Sequence, residues 1–187
     1  MPAIEPPIKT EAPIIHVFTD KDGVLAGFEQ GFHARFGRYF DAVPVGVAWK
    51  LINGVSDFYE KLPHHTDVQE YWKEAKKVRP TILTGCPNSR FELHEACKRA
   101  WTAANPHFAD GSVFLRDTPE IVCLTKDKPQ HMVNTGDLLI DDHQKNGDKW
   151  MAAGGRFILF RHARQAAAEL RDMVAELKHQ GHRFNDE

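Results

Sequence analysis

No run of about 18 consecutive apolar residues occurs anywhere in the chain, which excludes a membrane-spanning helix. Cysteine is scarce. Cys86, Cys97 and Cys123 stand far apart, with no Cys-x-x-Cys pair among them. An odd, scattered set of thiols does not make a disulfide framework and fits a reduced, cytoplasmic setting. The first segment has no apolar leader, because Pro2, Pro6, Pro7 and Pro13 interrupt it. Charge of one sign is also missing. The formal net charge is −2 and Lys and Arg form no long run, so neither nucleic acid nor an acidic membrane surface is an expected partner. Internal repeats and low-complexity blocks are absent, which sets solenoids aside.

What is present is an ordinary globular composition, with 187 residues and a 42% hydrophobic fraction. That length suits a single domain with one substantial core. Residues 1–12 are rich in Pro without an apolar pattern and read as a flexible arm, leaving 13–187 as the domain. Five short apolar runs read as buried strands: Ile14 to Phe18, Thr81 to Leu83, Ile121 to Leu124, Leu138 to Ile140, and Phe157 to Phe160.

Segments between them carry helical spacing. Phe28, Phe32, Phe36 and Phe40 recur every four residues. Val68, Tyr71, Trp72 and Ala75 share a face, as do Phe91, Leu93, His94, Cys97 and Trp101 less cleanly. Leu170, Val174 and Leu177 mark a last helix over 165–180 that ends near Gly181. Buried strands alternating with helices predict an α/β fold with a mainly parallel five-stranded sheet. Ligands in such folds bind beyond the carboxyl ends of the strands.

Those strand ends hold the polar residues. The first strand runs into Asp20-Lys21-Asp22-Gly23, where two carboxylates one residue apart repel each other unless something binds them. A divalent cation would offset that repulsion, and hard oxygen ligands suit Mg²⁺. An acid pair followed by Gly also makes an ordinary turn. The second strand ends at Thr84-Gly85-Cys86, where a hydroxyl and backbone N–H groups before a helix can cradle an anion. Lys126 and Lys128 follow the third strand, and either could neutralise phosphate charge. Asp141-Asp142 closes the fourth strand as a second acid pair. His64-His65 reads as a solvated loop, and Cys86 as a small buried residue.

An acid pair, a hydroxyl with Gly, a Lys and a second acid pair, in that order, resemble the haloacid-dehalogenase (HAD) superfamily of phosphohydrolases. The resemblance spans residues 14 to about 160. It comes closest to the 5'(3')-deoxyribonucleotidases and small 5'-nucleotidases, through residues 22–32, 124–128 and 137–142. Two positions depart from that group: Gly27, where a polar residue is usual, and Lys21, where Met is common.

The resemblance implies a Rossmann-like three-layer core with a small helical cap inserted after the first motif, at about 33–64. Phe36, Tyr39, Phe40, Trp49, Phe58 and Tyr59 of that segment either line an aromatic pocket or form its packing face. It further implies a phosphomonoesterase acting through an aspartyl-phosphate, with Asp20 as nucleophile, Asp22 as acid and base, and Lys128 as the catalytic lysine. Thr84 and Gly85 would bind phosphate. Mg²⁺ would sit on Asp20, on Asp22 through its backbone carbonyl, and on Asp141 or Asp142. (Deoxy)nucleoside monophosphates are the expected substrates. A sugar phosphate, a polynucleotide end, transfer to an acceptor alcohol, or a silent binding module stay open, as does a homodimer.

Overall fold

The computed structural model describes residues 14–185, so the arm expected over 1–12 lies outside the described residues. Five strands form one sheet: β2 (Val17–Thr19), β3 (Thr81–Cys86), β4 (Glu120–Leu124), β5 (Leu138–Asp141) and β6 (Arg156–Leu159). Their order is β4-β3-β2-β5-β6 and every pairing is parallel. From β2 the chain builds outward on one side through β3 and β4, then crosses back to add β5 and β6 on the other. The reversal lies beside β2, the kind of place where open α/β sheets bind ligands.

Side-chain alternation divides the core between the two sheet faces. Val17, Ile82, Leu138, Ile140 and Ile158 join one apolar cluster with Tyr71, Trp72, Leu170 and Leu177. Phe18, Leu83 and Leu139 turn the other way, against Cys123 and Trp150. Both faces are covered, which is why these strands read as continuous apolar runs rather than alternating ones. The helices are α1 (Phe28–Phe36), α2 (Val45–Asn53), α3 (Val68–Ala75), α4 (Phe91–Ala104), α5 (Gln144–Ala152) and α6 (Ala163–His179). All four residues assigned to the α3 face are buried, and α3 packs on α6. The result is the Rossmann-like three-layer arrangement anticipated from the sequence.

The structure departs from the sequence reading at several places. The single strand expected over 14–18 is broken at His16. Its first part, β1 (Ile14–Ile15), pairs instead with a strand at the far end of the chain, β7 (Arg183–Phe184). The His16 N–H turns to the buried Asp137 carboxylate at 2.9 Å. Helix α1 stops at Gly37, whose φ of 68° supplies the left-handed cap, so Phe40 lies beyond the helix. Its ring nevertheless folds back onto Phe28 and Phe32, with centroids 5.2 and 5.4 Å away. Nor is His64 in a solvated loop: it is half-buried edge-on against Trp101, Phe108 and Phe114 and hydrogen-bonds Asn105 at 2.7 Å. His65 is also half-buried, edge-on to Phe160.

Between Leu25 and His65 the chain leaves the sheet and returns through a narrow neck. The Gly27 N–H donates to the Pro63 carbonyl at 2.8 Å, and the His65 N–H to the Leu25 carbonyl at 2.9 Å. This excursion carries α1, α2 and a short 3-10 turn at Tyr59–Lys61.

Asp137 stands at the amino end of β5, opposite the acid pairs, and is fully buried. Its carboxylate accepts the N–H groups of His16, Val133 and Asn134 at 2.8 to 2.9 Å. Asp137→Ala would strand three donors at once and lower the unfolding free energy by about 3 kcal/mol or more, measured by urea denaturation.

Candidate active site

The loop after β2 is set by its own backbone. The Asp20 N–H donates to the Ile140 carbonyl at 2.8 Å, extending the β2–β5 ladder by one bond. The Lys21 carbonyl then accepts the N–H groups of Val24, Leu25 and Ala26, at 3.2, 2.8 and 2.8 Å, which curls the chain tightly. Gly23 occupies this curl at φ 83°, a region that L side chains avoid. A Cβ there would also collide with the Asp142 carboxylate, so glycine is what allows the two acid pairs to approach.

Carboxylate oxygens of Asp20, Asp141 and Asp142 lie within 4.8 Å of one another. Lys128, 1% exposed, projects from the turn Thr125–His131 into this group. Its Nζ is 2.6 Å from Asp141 Oδ2 and 2.9 Å from Asp20 Oδ1. Lys126 is exposed, so of the two candidate lysines it is Lys128 that meets the acids. Asp141 is saturated with protein donors. Beside Lys128 it accepts the His143 N–H at 2.8 Å and the Asn146 amide at 3.0 and 3.1 Å. Asp20 Oδ1, by contrast, is buried with only the charge of Lys128 beside it and no well-directed hydrogen bond.

Electrostatics follow from this crowding. Burial raises the Asp20 pKa to about 6, with Lys128 pulling it down and Asp141 and Asp22 pushing it up. Asp142 is an exposed residue, yet protein crowds its carboxyl and displaces water there, and Asp20 and Asp141 repel its charge. Its pKa stands well above the ordinary carboxylate value. Burial works to lower the Lys128 pKa, but Asp20 and Asp141 outweigh it and the net shift is upward.

Asp22 is placed differently. Its carboxylate is outside the group of three, and its Oδ2 forms an ion pair with Lys98, a residue the sequence reading passed over. Lys98 sits on α4, only 1% exposed. Its Nζ also donates to Thr84 Oγ1 at 2.9 Å and to the Gly85 carbonyl at 2.6 Å, and lies 4.5 Å from the centre of the Tyr59 ring. A signal was available. Positions 94, 97, 98 and 101 follow the i, i+3, i+4, i+7 spacing of one helical face, and three of them were already assigned to it. Thr84, expected on phosphate, is fully buried with its hydroxyl turned to Lys98. Lys21 is buried too. Its Nζ donates to the Lys98 carbonyl at 2.6 Å and pairs with Glu120.

A cavity of about 310 Å³ opens on these groups. Asp20, Asp22, Lys128, Asp142, Gly85 and Asn146 line its floor, and Phe28, Phe40, Trp49 and Tyr59 stand on its wall. The aromatic stripe therefore splits by role. Phe32 and Phe58 are buried in packing, and Phe36 packs against that core. Tyr39 is 55% exposed and stacks on His33. Cys86 is buried as expected, and burial pushes its thiol up to about 11, away from nucleophilic use.

The acid group suits a hard divalent cation. It offers oxygen ligands only, one of them (Asp20 Oδ1) without a hydrogen bond, and another acid (Asp142) whose charge its neighbours resist. Since the Asp141 oxygens are already taken up by protein donors, Asp20 and Asp142 are the carboxylates best able to hold such an ion.

Fold and site together define a doubly covered parallel α/β protein with a carboxylate–lysine centre at the carboxyl edge of its sheet. No protein-family model matches the chain, and no curated protein matches it. Among solved structures it is similar to a HAD family hydrolase from Deinococcus radiodurans R1, crystallised with bound phosphate and sodium. The identity is 16%, the likeness covers 91% of this chain and 97% of that one, and the TM-score is 0.40. Among the described residues, no helix is long and apolar enough to cross a membrane.

The raised pKa of Asp20 makes stability depend on pH with a definite sign. The folded chain holds this proton up to about pH 6, whereas the unfolded chain releases it near the ordinary value of 3.8. The metal-free protein should therefore lose stability as pH rises through that window. Mg²⁺ at a hundredfold excess over its Kd should restore about 2.7 kcal/mol at pH ~7.5 and distinctly less at pH ~5, read as a shift in Tm. Gly23→Ala should erase that shift.

Proposed function

We propose that this protein is a Mg²⁺-dependent phosphomonoesterase of the HAD type that works through an aspartyl-phosphate on Asp20, with (deoxy)nucleoside monophosphates as its substrates. The observation that carries the reading is the cavity floor. There Asp20, Asp22, Lys128 and Asp142 meet in one opening, with Lys128 held 2.9 Å from Asp20. The segment between Leu25 and His65 acts as the cap over that opening.

Asp20 attacks phosphorus in line and the P–O bond to the alcohol breaks, giving an acyl-phosphate. The first step needs Asp22 protonated, on Oδ1, the oxygen that Lys98 does not hold; it gives that proton to the departing oxygen and later takes one from the water that hydrolyses the intermediate. Lys128 remains charged and draws the equatorial phosphate oxygens towards Asp20, while Gly85 lets the phosphate approach the end of β3. A bound Mg²⁺ would offset the repulsion between the acid group and the phosphate dianion. Asp20 and Asp142 would hold it, with Asp141 fixed behind them by Lys128, Asn146 and the His143 N–H.

The aromatic wall supports a flat, ring-bearing substrate. Phe28, Phe40, Trp49 and Tyr59 present apolar faces above the acids, as a nucleobase would require and a bare sugar phosphate would not.

Phosphate release from a panel of nucleoside and sugar monophosphates, with Mg²⁺ or with EDTA, tests this directly. Mg²⁺-dependent release with preference for nucleotides is expected, and Asp20→Asn should abolish it while keeping the fold. Appreciable turnover by pure Asp20→Asn would remove the nucleophile, and a best substrate without a base would remove the nucleotide. Trp49→Ala should raise KM for the nucleotide about tenfold or more, as loss of a stacking contact predicts, and leave a sugar phosphate unaffected.

A further inference from the structure

Two ammonium groups are buried on the far side of the cavity floor, and the chemistry above uses neither. Lys21 and Asp22 are neighbours in the loop after β2, and Lys98 lies across from them on α4. The Lys21 side chain reaches α4 and donates to the backbone carbonyl of Lys98 at 2.6 Å. The Lys98 side chain reaches back and pairs with the Asp22 carboxylate. Glu120, at the start of β4, holds the other side of the Lys21 ammonium.

An ammonium has three N–H donors. Those of Lys98 have three protein acceptors: Asp22 Oδ2, Thr84 Oγ1 at 2.9 Å and the Gly85 carbonyl at 2.6 Å. None is left for a ligand, and Lys98 does not line the cavity, although Asp22 and Gly85 both do. Its acceptors lie on two different strand ends, the loop after β2 and the tip of β3. Asp22 Oδ1 is buried without a protein donor, so one carboxylate oxygen is tethered and the other is left for the reaction.

We propose that Lys98 is a positioning residue: with its backbone carbonyl held by Lys21, which Glu120 pairs, it holds the Asp22 carboxylate in the orientation for proton transfer and fixes it in register with the Thr84–Gly85 tip. The proposal rests on the function assigned above. Lys98 itself transfers no proton. It removes rotational freedom from Asp22, which a short carboxylate at a loop end would otherwise keep. A buried ion pair of this kind is a weak source of stability but a strong constraint on geometry.

The test compares two esters in the intact protein. Thymidine 5'-monophosphate has an alcohol leaving group that needs a proton, whereas nitrophenolate departs from p-nitrophenyl phosphate without one. Lys98→Met should lower kcat/KM, which reports the steps up to the acyl-phosphate, about a hundredfold on the nucleotide, the low end for loss of a positioned acid, and tenfold or less on the aryl ester. Hydrolysis of the intermediate should slow alike for both. The inhibition constant of inorganic phosphate should stay within about twofold, because Lys98 has no donor left for a ligand. Asp22→Asn should show the same selectivity, and the double variant should be no slower than Asp22→Asn alone.

Equal losses of kcat/KM on the two esters, losses that multiply in the double variant, or weakened inhibition by phosphate would each overturn the positioning role. If Lys98→Met does not fold, Lys21→Met combined with Glu120→Gln decides the matter, since it removes the clamp without orphaning a buried charge. A smaller loss with the same selectivity supports the proposal, and unchanged kinetics overturn it. A wild-type protein inactive on both esters and on the whole panel of monophosphates would instead refute the phosphatase reading, a result that none of these variants could mimic.

Discussion

Four carboxylates converge on the carboxyl edge of a five-stranded sheet, and their mutual repulsion is the constraint that the surrounding residues answer. Two unit charges about 4 Å apart at an effective dielectric of ~20 repel by roughly 4 kcal/mol, comparable to the whole margin of a small domain. The chain meets this with two buried ammonium groups, each serving one side of the site. Lys128 lies between Asp20 and Asp141, and Lys98 takes Asp22. What repulsion and burial remain show in the raised pKa values of Asp20 and Asp142. A cation would complete the balance, and under the proposed function the substrate would then enter a site whose charges are already set.

Holding such a group together requires rigid support close behind it. The central strand β2 is only three residues long, but it is paired on both sides and buried on both faces. It delivers Asp20 from a fixed ladder, and Gly23 turns the chain so that Asp142 can come near. At the opposite end of β5, Asp137 ties down three backbone donors, so one strand is anchored at its base and carries an acid pair at its tip. The aromatic excursion contributes both a packed interior around Phe32 and a wall facing the acids.

Much of this was legible in the residues. The apolar runs of β2 to β6, the acid pairs and the helices α3, α4 and α6 each carry their signal within a few neighbouring positions. Of the elements not assigned individually, α2 is largely apolar and was placed only within the cap segment, whereas two others lack such a signal. α5 is mostly polar, and Trp150 is its one large buried apolar residue. β7 has two residues and exists because β1 pairs with it from the other end of the chain. Lys98 was overlooked because a lysine between apolar helix positions is ordinarily read as pointing to water, and its partners lie 13 to 76 residues away.

The amino-acid sequence by itself determined the class of fold, the order of the strands along the chain and which acids and lysines end them, because hydrophobic period and turn chemistry are local. Tertiary structure alone decided how those groups share charge. It set which of two lysines meets the acids, turned the Thr84 hydroxyl inward, divided the aromatic stripe between packing and cavity, and brought Lys98 to Asp22. The physical reason is that an ion pair, a shifted pKa or a shared cavity depends on distance and on exclusion of water. Both are properties of chain segments remote in sequence, and they come into being only when the sheet assembles.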